Sequence, residues 1–157
     1  MDRRNRGRGP RRRSGTAGAT LIELLTVMVV ISILAGIALP RLRGAIVKAQ
    51  AADLIGDMNV VKVAVITYQS DHNAWPTESA SGQMPAGLEE YLPEGFRWAT
   101  ELYTLDYQNQ GALDGSAYRI GITATTEQPD LGLTVIELMG FDIWTDGGNR
   151  FTWIIET

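Results

Sequence analysis

The sequence predicts an α+β fold: a long N-terminal helix, its first half transmembrane and its second amphipathic, packed on a C-terminal antiparallel sheet of about four strands. Three observations predict it. Leu21 to Leu39 is an apolar run of 19 residues broken by one charge, Glu23. Val47, Ala51, Leu54, Met58, Val61, Val65 and Tyr68 then recur at alternating spacings of four and three, the period of one helical stripe. Beyond Trp75-Pro76, four segments rich in aromatic and β-branched residues are separated by turn signals.

The charge distribution divides the chain before any element is considered. Residues 1–18 hold seven Arg and one Asp, whereas the rest holds seven Lys or Arg against seventeen Asp or Glu. Residues 1–18 are also rich in glycine and have no aliphatic run, so they cannot bury a core. A basic arm can bind nucleic acid or flank a membrane segment on its cytoplasmic side. The arginines end at Arg13, a few residues before the apolar run, which favours the flank. The acidic remainder argues against nucleic acid as a direct partner. Arg11, Arg12 and Arg13 precede Ser14 and Gly15 rather than apolar residues, so a twin-arginine signal is set aside. The chain has no cysteine, which excludes disulfides, thiol catalysis and thiolate metal sites.

As a helix, Leu21–Leu39 is about 28 Å long, near the hydrocarbon thickness of a bilayer. A secretory signal cut before Leu39 competes with this reading, since Gly36 and Ala38 are suitably small. The run is longer than the usual ~7–15 apolar residues, however, and Glu23 would be a needless cost of a few kcal/mol inside it. Such an acid needs a partner. Its helical neighbours Ala19, Thr20, Thr26 and Val27 have no cationic side chain. A chain cut after Gly18 would instead place the ammonium of Ala19 four residues before Glu23, in its own chain or a neighbour's.

Gly18-Ala19-Thr20-Leu21-Ile22-Glu23 resembles the prepilin processing motif of type IV pilins and type II secretion pseudopilins. Gly18 matches the family glycine, Glu23 the glutamate five residues after the cut, and Pro40 the proline after the apolar half. Ala19 departs from the usual phenylalanine. The resemblance covers about the first 45 residues. It implies that residues 1–18 are a basic leader removed by a prepilin peptidase, that Ala19 is the new and methylated N-terminus, and that 19–40 form the transmembrane and assembly half. Residues 41–157 would be the globular domain. Glu23 would neutralise the N-terminal amine of an adjacent subunit, lowering the cost of both charges.

Gly36 and Pro40 both weaken a helix, so a kink or melted turn is expected between them. The helix then continues to about Ser70-Asp71-His72-Asn73. From Val60 to Ile66 it is apolar on nearly every side, which predicts packing on its own sheet and on neighbouring helices. A tyrosine near the helix end and Trp75-Pro76-Thr77 extend the resemblance to pseudopilins and simple pilins. Pro85–Tyr91 is expected as a short helix. Strands are expected at Phe96–Tyr107, Ala117–Ala124, Leu131–Met139 and Phe151–Glu156.

Little in the chain suggests chemistry. His72 is the sole histidine, and a helix-end histidine is ordinarily a cap or surface group. Glu89-Glu90 reads as a solvated pair. Asp142, Asp146 and Asn149 offer hard oxygens of the kind calcium prefers, but Asp146-Gly147-Gly148-Asn149 reads more simply as a hairpin turn. No enzyme, metal or cofactor is expected. The resemblance implies a structural subunit of a type II secretion pseudopilus, or alternatively of a type IV pilus. It would reside in the cytoplasmic membrane as a single pass with its N-terminus inside. Its partners would be the peptidase, copies of itself and similar subunits, membrane lipid and an inner-membrane assembly platform. A single-pass membrane-anchored binding protein is the rival class.

Overall fold

The computed structural model describes residues 20–110, 112–113, 116–117, 119–147 and 149–156. The cleavage and methylation positions, Gly18 and Ala19, lie outside them. The chain falls into two compact units, Met1–Pro40 and Arg41–Thr157. Helix α1 (Leu21–His72) begins in the first and ends in the second. Every residue from Gly36 to Pro40 is helical, so the melted turn expected there is absent.

In the second unit, α1 buries Ala51, Leu54, Met58, Val61 and Val65 of the anticipated stripe, together with Ala64, while Val47 and Tyr68 at its ends are partly buried. The strands follow: β1 (Thr104–Asn109), β2 (Ala112–Leu113), β3 (Ser116–Ala117), β4 (Ile120–Thr125), β5 (Trp144–Thr145) and β6 (Arg150–Glu156). β2 and β3 form a separate small hairpin, and the four-stranded antiparallel sheet runs β1-β4-β6-β5. Strand alternation sends Leu105 and Tyr107 of β1, Ile122 and Ala124 of β4 and Phe151 of β6 into one core with the α1 stripe. Each of these side chains, once fully buried, contributes on the order of 1.5–3 kcal/mol if it is Leu, Ile or Phe.

The other sheet face carries a polar row in register, Asp106, Thr123, Thr152 and Trp144. Thr123 and Thr152 are buried, and their hydroxyls satisfy one another at 2.8 Å. Gln108 Nε2 donates to Asp106 Oδ2 at 3.0 Å. Burial holds the Asp106 carboxyl above its ordinary range, against the opposing pull of that hydrogen bond.

Three local expectations are corrected. Leu131–Met139 is not a strand but lies within helix α2 (Pro129–Met139), with Pro129 in its first positions and Asp130 in its first turn. Leu131, Gly132 and Val135 face the core from it. Pro85–Tyr91 is a series of turns rather than a helix. Gly87 has φ +88° there, and the Glu89 carboxylate takes the Gly87 N–H at 2.8 Å. The expected strand at Phe96–Tyr107 is confined to Thr104 onward, apart from a bridge between Ala99 and Thr104. Thr100 Oγ1 accepts from the N–H groups of Leu102 and Tyr103 at 3.2 and 3.1 Å, a side-chain turn that displaces pairing.

Candidate functional site

The described part of the first unit, residues 20–40, is an exposed, largely apolar stretch of helix. An 18-residue window of α1 has mean hydropathy 2.5, and none of it is buried within the chain's own fold. Leu21 is 80% exposed and Ile31 59%. By length and composition this segment can cross a membrane. Its hydroxyls are already satisfied by the helix itself. Thr26 Oγ1 donates to the Ile22 carbonyl and Ser32 Oγ to that of Met28, each at 2.8 Å. Neither therefore presents an unpaired polar group to lipid.

Glu23 differs from them. In the isolated chain its Oε2 accepts from the Thr20 N–H at 3.4 Å, and Thr20 Oγ1 accepts from the Glu23 N–H at 3.3 Å. Thr20-x-x-Glu23 is thus a reciprocal cap on the first turn of α1. The signal, a threonine three residues before a glutamate at the start of an apolar run, is legible in the sequence and was not part of the expectation. The cap satisfies N–H groups but leaves the carboxylate charge without a cation among the described residues around it.

Beyond Pro40, α1 presents two faces. One is the buried stripe. The other leaves Ile46 48%, Val63 57% and Ile66 43% exposed, so the side expected to pack on neighbouring helices is uncovered in the single chain. At Gly56 an added Cβ would meet nothing within 4 Å. Asp57 leaves this helix toward the sheet and accepts from Tyr103 Oη at 2.7 Å. Burial first, and this bond second, push the Tyr103 phenol well above its ordinary value.

The residues weighed for chemistry are scattered. His72 stacks on Tyr68 at 4.2 Å between ring centroids, and its Nδ1 lies 3.1 Å from the Tyr68 carbonyl oxygen. Tyr91 meets both rings edge-on and donates to Asp71 Oδ2 at 3.0 Å. Glu90 is exposed. Asp142 sits in a 3-10 turn, Gly140–Asp142. Asp146 Oδ1 accepts from the Arg150 N–H at 3.4 Å, in the loop that joins β5 to β6. Among the described residues, no group of three or more His, Cys, Asp or Glu is placed to hold a metal ion.

The family model for PilW, C-terminal, matches residues 45–102. The chain is 38% identical over 69 residues to fimbrial protein EcpC of Eikenella corrodens, covering 44% of this chain and 45% of that protein. It is 38% identical over 64 residues to the type IV major pilin protein PilE of Neisseria gonorrhoeae, covering 41% and 38%. It is 33% identical over 66 residues to type II secretion system core protein G of Klebsiella michiganensis, covering 42% and 46%. The chain thus spans less than half the length of these curated relatives. No solved structure matches it.

Proposed function

Because the chain is of the type IV pilin-like family, we propose that it is a structural subunit of a helical filament, specifically the pseudopilus of a type II secretion system. One observation carries this reading. Its apolar segment has no cover in its own fold, and it bears a single carboxylate whose charge has no cation beside it among the described residues. A membrane can cover the apolar surface but not the charge. A neighbouring subunit with a free N-terminal amine covers both. A prepilin peptidase would cut after Gly18 and leave Ala19 as the methylated terminus. Leu21–Leu39 would hold the subunit in the cytoplasmic membrane, the arginine-rich flank inside and the sheet domain outside. The assembly platform would then pass it to the filament, where Glu23 sets register. Work would come from a separate ATPase, since the sequence has no phosphate-cradling glycine loop. The role is structural rather than enzymatic.

The absence of cysteine supports the pseudopilus, because many pilins have a disulfide loop. The likeness to fimbrial and major pilin proteins favours a type IV pilus as the second reading. Deleting the gene and scoring protein secretion against surface filaments separates the two. The underlying reading is tested by mass spectrometry of the mature N-terminus in the native host. A start at Ala19 is expected. A start at Leu39 would make it a secreted protein, and an intact leader would make it a plain membrane anchor; either result overturns the proposal.

A further inference from the structure

Helix α2 carries an apolar side chain that the fold does not use. Leu133 is 67% exposed, although its neighbours Leu131, Gly132 and Val135 are buried. It lines an open groove of about 330 Å³ between α1 and α2, whose walls include Arg43, Val47, Lys48 and Asp130. Exposed aliphatic side chains beside long basic ones are the composition of a surface that rests on a membrane, where the basic heads reach phosphate and their stems lie along apolar surface.

The position of the groove along the chain says which surface it meets. Arg43 lies four residues beyond Leu39, the end of the apolar run. Four residues span about 6 Å as helix and at most about 14 Å fully extended. The headgroup layer is roughly 5–8 Å deep on each side of a bilayer. Whatever the conformation around Pro40, Arg43 therefore stays at or near the headgroups once Leu21–Leu39 is in the membrane. Leu133 belongs to the same compact unit and lines the same groove, so it is carried there too. Charge agrees with this. Arg41, Arg43 and Lys48 are three of the seven bases in an otherwise acidic stretch after residue 18. Asp130 and Glu137 face them, but the Lys48–Glu137 pair is long at 3.9 Å and both side chains are more than 60% exposed, so Lys48 is free to exchange that partner for a phosphate.

We propose that this groove is a phospholipid-headgroup site. Arg43 and Lys48 take a lipid phosphate, Leu133 enters the boundary between headgroup and acyl chain, and α2 holds the sheet domain against the bilayer until the subunit leaves it. The proposal rests on the anchoring part of the reading above, that Leu21–Leu39 spans the membrane. The test uses the full chain in nanodiscs of phosphatidylethanolamine and phosphatidylglycerol that include a lipid with a quencher near its headgroup. Because the chain has no cysteine, a fluorophore goes only to Leu133→Cys or, as reference, to Glu90→Cys. Quenching at position 133 is expected to exceed that at 90 by roughly threefold or more. Arg43→Glu with Lys48→Glu should reduce it to the reference level while the chain stays resistant to alkaline extraction. Equal quenching at the two positions overturns the site, as does insensitivity to the charge reversal. So does shielding at 133 that appears only when two chains share a disc, which would make the groove a contact between copies. A chain that alkali extracts from the disc overturns the anchoring reading as well, and that readout is independent of the fluorophore.

Discussion

Glu23 caps its own helix, and substitution can separate that cap from the role proposed for it in neutralising a neighbour's amine. The cap is the Thr20–Glu23 pair, with N–H to oxygen distances of 3.4 and 3.3 Å. Both are long for such bonds, which places the cap near the bottom of the usual range, about 0.5–1 kcal/mol. An amine left without its partner in an apolar filament core costs about 3–5 kcal/mol. At about 1.4 kcal/mol per tenfold, losing the cap shifts incorporation by no more than about fivefold, and losing the charge shifts it by about 150-fold or more. Glu23→Gln keeps a side-chain oxygen for the cap and removes the charge. Thr20→Ala removes the capping hydroxyl and keeps the charge. The assay is the ratio of processed subunit in sheared filaments to that in the membrane, counted by mass spectrometry from chains that begin at Ala19. Counting only those chains removes any effect of Thr20→Ala on cleavage. Glu23→Gln should be nearly absent from filaments and Thr20→Ala should be mildly depleted. Incorporation of Glu23→Gln close to the parent level would refute charge pairing, and equal damage by the two variants would make Glu23 a cap and nothing more.

Three further predictions concern the sheet domain, each read by thermal unfolding of the full chain in detergent. Gly87→Ala should destabilise by about 1–3 kcal/mol, since φ is +88° and the new Cβ would lie 2.9 Å from Tyr68 Cε2. Gly95→Ala shares the positive φ but meets nothing within 4 Å, so it should cost less, and equal losses would show that the Tyr68 contact does not matter. Tyr103→Phe should cost about 1.5–3 kcal/mol by freeing Asp57 from a 2.7 Å hydrogen bond. The folded chain holds this phenol neutral above its ordinary 10.0, so parental stability should fall as pH rises past 10.0, and the Phe variant should lose less. Asp106→Asn should stabilise the domain slightly at neutral pH, by about 0.5 kcal/mol or less, read as a small rise in melting temperature. The folded carboxyl is held above its ordinary 3.8, so it contributes stability below that value and loses it as pH rises; the gain from Asn should vanish on acidification toward 3.8, and a gain independent of pH would refute the assignment.

The sequence announces α1 because its apolar positions keep helical spacing over many turns, whatever the local propensity of Val60 to Ile66. The same periodicity was available at Leu131, Val135 and Met139. There Gln128-Pro129-Asp130 has the composition of a turn, although proline and aspartate at the start of an apolar stretch also open helices, and in α2 they do. β5 could not be read at all. Two residues have no period, and Trp144–Thr145 is a strand only because Thr152 and Phe151 of β6 lie beside it. The site divides along similar lines. The cost of a lone acid in an apolar run is a property of the sequence and pointed to Glu23 at once. The groove at Leu133 depends on α2 being helical, and a strand in that place would have hidden it.

Pro40 stands inside a continuous helix, and it has a mechanical meaning. It has no N–H to give the carbonyl of Gly36, and at Gly36 an added Cβ would find no neighbouring atom within 4 Å. This turn is therefore held by fewer bonds than a regular one, and nothing packs on its glycine. A load applied along the helix, anchored in apolar surroundings at one end and pulled through the sheet domain at the other, opens the chain first where opening is least costly. Five residues passing from helical to extended rise add about 9 Å. In a subunit that is anchored and pulled as proposed above, Gly36 to Pro40 would act as an extensible link, its yield force set by one missing hydrogen bond.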